Sequence, residues 1–143
     1  MAVTAYLGLG SNLGDREGSI RTALSRIDAL PKTKLKAVSS LMETKADGFE
    51  GPDFINCCCS ISTGLEPLQL LEAVKAIEAD MGRKMTGARY DAHGHRIYAS
   101  RPIDIDILLY GDLQMDDPQL QIPHPRMHER DFVMIPLNEI RNR

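Results

Sequence analysis

The chain has 143 residues, of which 43% are hydrophobic and 26% are charged, and its formal net charge is −3. This length and composition predict a single globular domain spanning residues 1–143, and the slight acidity argues against bulk nucleic-acid binding. The first residues do not form a signal peptide, and no run approaches the ~18 apolar residues of a membrane span. We therefore expect a cytoplasmic protein.

The first third of the chain is predicted to form a strand, a helix and a second strand. The first strand covers residues 2–9 and leads into a glycine-rich loop, in which Asn12 or Asp15 could cap the following helix. That helix ends before Pro31, and the second strand covers residues 35–42. The apolar positions with helical spacing are Ile20, Ala23, Leu24, Ile27 and Leu30.

The rest of the chain up to residue 110 is predicted to form a third strand, a second helix and a last strand. A third strand covers residues 54–63, and Pro67 opens a second helix that ends at Gly82. A long loop over residues 84–100 precedes the last strand. Loops of that length are usually functional lids or disordered segments, and we expect this one to be a lid over a nucleotide. The apolar stripe predicted for the second helix contains Leu68, Leu71, Val74 or Ala76, Ile77 and Met81.

The order strand, helix, strand, strand, helix, strand predicts an α+β fold with a ferredoxin-like βαββαβ core. The long loop would interrupt this core before its last strand. Two polar, proline-rich segments and a short helix over residues 132–140 would form a C-terminal extension.

The last predicted strand carries the most informative pattern of the chain. Asp104 and Asp106 alternate with Ile103, Ile105 and Ile107, and a strand points alternate side chains to opposite faces. The two carboxylates would therefore lie side by side on one face, where they would repel each other unless a cation lay between them. Mg²⁺ bound through carboxylates and substrate phosphates fits this arrangement, whereas two solvated Asp residues are the simpler alternative.

Two other groups of residues bear on the proposed metal site. The consecutive residues Cys57, Cys58 and Cys59 have neither metal-site nor redox-motif spacing, so we expect them to be buried in a strand. A basic segment lies just before the Asp pair, which suits a metal-bridged polyphosphate, although a solvated loop has the same composition. It contains Arg83, Lys84, Arg89, His93, His95, Arg96 and Arg101.

Four motifs occur in order along almost the whole chain, and together they resemble the 6-hydroxymethyl-7,8-dihydropterin pyrophosphokinase family. The first is the glycine-rich segment from Tyr6 to Asp15, and the third is Glu78 with Gly82 and Arg83. The second joins residues 38–40, 43–44 and 53–56, and the fourth joins residues 101–108, 122–125 and 130–133.

The resemblance implies a reaction and a set of roles. Enzymes of this family transfer the pyrophosphoryl group of ATP to a reduced pterin and release AMP, as a step of folate biosynthesis. The resemblance implies that Asp104 and Asp106 bind two Mg²⁺ ions, and that Arg83 and Arg101 act as catalytic residues on the transferring group. Arginine suits that role because its planar fork pairs with phosphate oxygens.

The resemblance also implies two substrate sites and no obligate protein, nucleic-acid or membrane partner. In the pterin site, Phe54 and Phe132 would stack on the ring, while Thr44 and Asn56 would meet its polar edge. The residues implied for ATP are Leu71, Lys75, Glu78, Ile107, His124 and Arg130. The chain departs from the family pattern at Lys45 and Ala46, where Pro-Pro is common, and in having no Trp.

Two alternatives remain open on the sequence alone. A ferredoxin-like nucleotidyltransferase also uses paired Asp residues and two metal ions, although the small size and acidic balance argue against it. A non-catalytic ferredoxin-like domain could bind a small ligand and would not need Asp104 and Asp106. Release of AMP without pyrophosphate would separate the pyrophosphokinase from both.

Overall fold

The computed structural model describes residues 2–45, 53–82 and 103–141 of the chain. Arg83, Arg101 and the predicted lid over residues 84–100 lie outside these ranges. The strands are β1 Val3–Ser11, β2 Thr33–Val38, β3 Met42–Thr44, β4 Phe54–Thr63, β5 Asp104–Tyr110, β6 Met115–Asp117 and β7 Leu120–Ile122. The helices are α1 Arg16–Asp28, α2 Pro67–Met81, a short 3-10 helix Met127–Glu129, and α3 Asp131–Ile140.

The main sheet is antiparallel and has the strand order β2-β4-β1-β5, with β3 also paired to β4. The predicted α+β class is therefore confirmed. Among the strands that the structure describes, β5 pairs with β1 alone and is an edge strand of this sheet. Strands β6 and β7 form a separate two-stranded sheet that the sequence analysis did not predict. None of the helices in the described ranges is long and apolar enough to cross a membrane.

Each face of the sheet is covered by its own apolar cluster. Helices α1 and α2 contribute Ile20, Ile27 and Val74 to a cluster with Ile105 and Ile107 of β5. Helix α3 packs on the opposite face, where Leu137 and Ile140 join Cys58 and Leu108. Since side chains alternate along β5, Asp104 and Asp106 lie on the α3 face, as the sequence pattern predicted.

The second predicted strand, residues 35–42, is wrong as a single element. The chain forms β2 and β3 at the same edge of β4, and the break between them falls at Ser39 and Ser40. The Ser39 hydroxyl accepts the backbone N–H of Cys58 at 2.8 Å, and the Ser39 N–H donates to the carbonyl of Cys58 at 2.8 Å. A side-chain oxygen thus replaces one backbone partner, and the ladder is interrupted without an unsatisfied N–H group.

The ends of the helices follow the predicted signals. The Asp15 carboxylate accepts the N–H of Gly18 at 3.0 Å, so Asp15 rather than Asn12 caps α1. Gly14 precedes this cap with a φ of 66°, a left-handed conformation that glycine adopts without steric cost. Pro67 lies in the first turn of α2, and the helix ends at Met81, directly before Gly82.

The apolar stripe predicted for α2 is partly wrong. Val74 and Ile77 are buried as expected, but Leu68 is 40% exposed, whereas Leu70 is fully buried. The helix is rotated so that Glu78 turns inward together with the apolar residues. The Glu78 carboxylate can be buried because it accepts a hydrogen bond from the backbone N–H of Ile105, at the edge of β5.

The three cysteines are buried and free, in agreement with the structural interpretation. Burial raises the pKa of Cys57 and that of Cys58 to about 12, and it raises the pKa of Cys59 well above its usual value.

Because the three thiols are buried, we expect a disulfide exchange reagent at pH 8 to label the native protein at least about 1,000-fold more slowly than the urea-unfolded chain. Only the thiolate of an opened molecule reacts. Rapid labelling of even one thiol in the native protein would contradict this packing.

Candidate functional site

A cavity of about 250 Å³ opens on the α3 face of the sheet, beside the first turn of α3. Its walls come from four strands and from the segment that enters α3, so the fold brings together residues that are distant in the sequence. The lining residues are Gly8, Leu9, Gly10, Thr44, Lys45, Phe54, Asn56, Cys57, Asp104, Asp106, Arg130, Phe132 and Val133. Seven of the predicted site residues are among them.

The register of the sheet explains why these residues meet. Gly10 of β1 is directly opposite Asn56 of β4 on one side and Asp104 of β5 on the other. Gly8 is likewise opposite Asp106. The amide of Asn56 and the Asp pair are thus separated by one strand that has no side chain on this face. We call Gly8 and Gly10 the glycine strip.

The Asn56 side chain is held in one orientation at the β3 side of the cavity. It is 6% exposed, and its Nδ2 donates to the Thr44 hydroxyl at 2.8 Å. Its carboxamide oxygen therefore lies on the opposite side, towards Gly10. Phe54 lies two residues earlier on the same face of β4. This end of the cavity combines a fixed polar group with an aromatic ring, as a flat heterocycle with a polar edge requires.

The Asp pair occupies the other end of the cavity and carries excess negative charge. The pKa of Asp106 is raised to about 7, first by burial and then by the carboxylates of Asp104 and Glu78. Lys75 and Arg130 counteract this effect without cancelling it. A cation bound between the carboxylates would remove the repulsion, and carboxylate oxygens are the ligands that Mg²⁺ prefers. The donor set therefore fits a divalent cation.

Glu78 connects helix α2 to the outer edge of β5. Its Oε2 accepts the backbone N–H of Ile105 at 2.8 Å, and its Oε1 lies 3.4 Å from the Lys75 ammonium. Burial raises the pKa of Glu78, the Ile105 N–H and Lys75 lower it, and the charge of Asp104 and a hydrogen bond between the two carboxyl groups raise it further. The buried position of Glu78 thus satisfies an edge N–H group of β5 directly beside the Asp pair.

The other residues implied for ATP follow the same outer edge. Leu71, Lys75 and Glu78 are spaced by four and three residues and share one side of α2. The Ile107 side chain is 3% exposed and packs towards the helices, away from the cavity. Because Ile107 lies two residues after Ile105, its backbone groups face the same outer edge of β5. A contact from Ile107 to a ligand would therefore use its backbone.

His124 lies at the far end of this edge. Its N–H donates to the carbonyl of Leu108 at 3.0 Å, and its Nδ1 accepts the N–H of Arg126 at 3.2 Å. Burial, followed by the charge of Arg130, lowers the pKa of His124. The ring is therefore neutral at pH 7 and carries its proton on Nε2, where it can donate a hydrogen bond.

Arg130 and Phe132 close the cavity on the α3 side. The Arg130 guanidinium lies 5.7 Å from the centre of the Phe132 ring, and both side chains are half-buried. This cation–π contact orients a positive charge at the wall opposite the sheet. An anion held near the Asp pair by a metal ion would meet that charge.

The structure thus gathers twelve of the fourteen predicted site residues around the cavity or along the outer edge of β5. Arg83 and Arg101 lie outside the described residues. Gly8 and Gly10 were not among the site residues predicted from the sequence. A signal was present, because two glycines at alternate positions of a strand leave one of its faces without side chains.

Comparison with known proteins identifies the family to which this chain is similar. Residues 6–142 match the model of the 7,8-dihydro-6-hydroxymethylpterin-pyrophosphokinase (HPPK) family. A 2-amino-4-hydroxy-6-hydroxymethyldihydropteridine pyrophosphokinase of Haemophilus influenzae is 39% identical over 139 residues, which cover 96% of this chain and 81% of that protein. The protein of the same name in Bacillus subtilis is 39% identical over 137 residues, covering 95% of this chain and 77% of its own length.

A further relative is a folic acid synthesis protein of Dictyostelium discoideum, which is 40% identical over 136 residues. The match covers 94% of this chain but 19% of that protein, so there the matched region is one part of a much longer chain. The family match extends over almost all of this sequence and includes every predicted site residue. The chain therefore belongs to the 7,8-dihydro-6-hydroxymethylpterin-pyrophosphokinase family.

Proposed function

We propose that this protein transfers the pyrophosphoryl group of ATP to 6-hydroxymethyl-7,8-dihydropterin, a step of folate biosynthesis. The substrate hydroxyl oxygen attacks the β-phosphorus, the bond from that phosphorus to the α–β bridging oxygen breaks, and AMP leaves. The hydroxyl proton is lost to solvent. The observation that carries the proposal is the cavity itself, in which a fixed amide and an Asp pair face each other across the glycine strip.

We assign the pterin to the end of the cavity formed by β3, β4 and α3. Phe54 and Phe132 would stack on the two faces of the ring. The Asn56 oxygen would accept a hydrogen bond from the polar edge, while Thr44 holds the amide in place. This orientation would direct the hydroxymethyl group across the glycine strip, towards Asp104 and Asp106.

We assign two Mg²⁺ ions to Asp104 and Asp106. When bound, the ions would neutralise the phosphate charge and polarise the attacked phosphorus. The protein's own contribution is to hold two oxygen donors at alternate positions of one strand, so that both face the cavity. Glu78 supports this strand through its hydrogen bond to the N–H of Ile105.

We assign ATP to the outer edge of β5, on the side of the Asp pair away from the pterin. Leu71 and Lys75 would contact it from α2, and the backbone of Ile107 would offer hydrogen bonds from the edge. His124 and Arg130 would approach from the other side, with Arg130 supplying positive charge. We further propose that Arg83 and Arg101 stabilise the transferring group, since arginine pairs well with phosphate oxygens.

Three broader proposals accompany this function. The element order and the sheet order β2-β4-β1-β5 support a ferredoxin-like core, with β3, the β6–β7 sheet and α3 added to it. The chain is proposed to form one domain. A cytoplasmic location is proposed because three free cysteines suit a reducing compartment.

Product analysis tests the proposed reaction against its alternatives. With ATP, Mg²⁺ and the pterin, we expect AMP to form in proportion to the pterin consumed, without free pyrophosphate. A nucleotidyltransferase would release pyrophosphate, and a non-catalytic binding domain would leave ATP intact. Omission of the pterin is the control, because AMP formation without it would indicate simple hydrolysis.

A further inference from the structure

We propose that Gly10 is a positioning residue for pterin recognition. The absence of a side chain at this position lets the Asn56 amide lie across the sheet, with its Nδ2 bound to Thr44 and its Oδ1 beside Gly10. This inference rests on the proposed function, because it concerns how the same cavity selects its heterocycle. It adds a residue that acts through Asn56 and needs no contact with the substrate.

The distances at Gly10 carry the inference. A Cβ atom placed there would lie 2.8 Å from Asn56 Oδ1 and 3.6 Å from Phe54 Cδ1. The first distance is shorter than a carbon and an oxygen atom can approach without strain, so the amide would have to move. Its freedom to move is small, because Asn56 is 6% exposed and its Nδ2 already donates to Thr44 at 2.8 Å.

Gly8 shows that this requirement is specific to Gly10. Both glycines are on the same face of β1, and both line the cavity. A Cβ atom at Gly8 would meet the nearest carbons of Leu108 at 3.5 Å, which is an ordinary contact. Neither glycine has a positive φ, so backbone conformation explains neither of them. What distinguishes Gly10 is the amide oxygen next to it.

We expect a side chain at Gly10 to weaken pterin binding and to leave ATP binding unchanged. A Cβ atom at Gly10 pushes Oδ1 away from β1, which breaks or bends the hydrogen bond to Thr44. The amide can then no longer present its oxygen in a fixed direction. Asp104, although opposite Gly10 in the sheet, is not among the three nearest contacts of that Cβ atom.

The test is a double-mutant cycle of Gly10→Ala and Asn56→Ala. Calorimetry would measure the affinity for 6-hydroxymethyl-7,8-dihydropterin in the presence of Mg²⁺ and an unreactive ATP analogue, and separately the affinity for the analogue alone. We expect Gly10→Ala to weaken pterin binding at least about tenfold, the loss of one well-placed hydrogen bond, and to change analogue binding less than about twofold. In the Asn56→Ala background, Gly10→Ala should weaken pterin binding no further.

A spectroscopic readout separates this role from general damage to the fold. The side-chain amide resonances of Asn56 should shift in Gly10→Ala and in Thr44→Val, since both changes release the same amide. If Gly10→Ala does not fold, the double variant without the Asn56 amide should fold, because the clashing atom is gone. Failure of both variants to fold would overturn the proposal.

Three further results would also overturn the proposal. They are unchanged pterin affinity in Gly10→Ala, an equal loss of ATP-analogue affinity, and an equal loss of pterin affinity in the Asn56→Ala background. The proposed function fails in a different way. In that case, the wild-type protein itself would form no AMP from ATP and the pterin.

Discussion

Replacing Asp106 with Asn is expected to lower turnover about 1,000-fold or more and, in the absence of Mg²⁺, to stabilise the protein. Turnover falls because a neutral amide is a poor ligand for a cation that supplies several kcal/mol of transition-state stabilisation. Stability rises because the substitution removes a carboxylate that burial and the neighbouring Asp104 and Glu78 disfavour. Loss of turnover together with a gain in stability would show that Asp106 is needed for the reaction although it destabilises the folded protein.

The gain in stability should depend on pH in a defined direction. The pKa of Asp106 is raised from 3.8 to about 7, so the folded wild-type protein binds a proton more tightly than the unfolded chain does. Its stability therefore falls as the pH rises between these values. Relative to wild type, Asp106→Asn should gain little near pH 4 and gain on the order of 1 kcal/mol above pH 7, a figure that allows for partial hydration of the carboxylate.

Thermal unfolding in a metal chelator, at several pH values, measures this difference. Asp112→Asn is a matched control, because it removes one exposed carboxylate in the turn after β5, outside the cavity. It should leave both turnover and stability nearly unchanged. An Asp106→Asn variant that turns over at the wild-type rate, or that is less stable than wild type at pH 8, would refute the assignment of Asp106.

Replacing Asn56 with Ala is expected to weaken pterin binding about 100-fold and ATP binding less than about threefold. The Asn56 amide is the polar group that β4 directs to the pterin end of the cavity, and Thr44 fixes its orientation. A site built to hydrogen-bond a polar edge discriminates strongly through that group. Strands β1 and β5 separate Asn56 from the residues of α2 that are assigned to ATP, and only Arg130 of the ATP set lines the same cavity, so ATP binding should change little.

Titration calorimetry with each substrate class separately gives the two affinities. Ser60→Ala is the matched control, since Ser60 is buried on the same strand and four residues further along the same face. It lies outside the cavity lining and should leave both affinities unchanged. Equal losses of pterin and ATP affinity in Asn56→Ala would mean that Asn56 supports the structure and does not recognise the pterin.

Much of the fold could be predicted because local patterns determine it. The alternation of Ile and Asp in β5 gave the correct face for each side chain, and Asp15 and Pro67 marked the starts of two helices. The interruption between β2 and β3 could not be predicted. It depends on the Ser39 hydroxyl replacing a backbone partner of Cys58, a contact between residues 19 positions apart.

The candidate site shows the same division. The residue types and the family resemblance selected Asn56, Phe54 and the Asp pair, but neither indicated what lies between them. The alternation of Gly8 and Gly10 can be seen in the sequence, but their position between Asn56 and the Asp pair follows only from the register of β1 with its two neighbours. Likewise, the apolar spacing of α2 could not place Glu78 in the interior, because its partner is a backbone N–H group of an edge strand.

Phosphorus NMR of a reaction that contains ATP, Mg²⁺, the protein and 6-hydroxymethyl-7,8-dihydropterin tests the proposed transfer most directly. Pyrophosphoryl transfer would give one equivalent of AMP and one pterin product with two mutually coupled phosphorus atoms, and neither should form with Asp106→Asn. Formation of ADP with a pterin monophosphate, release of free pyrophosphate, or unchanged ATP would contradict pyrophosphoryl transfer in this cavity.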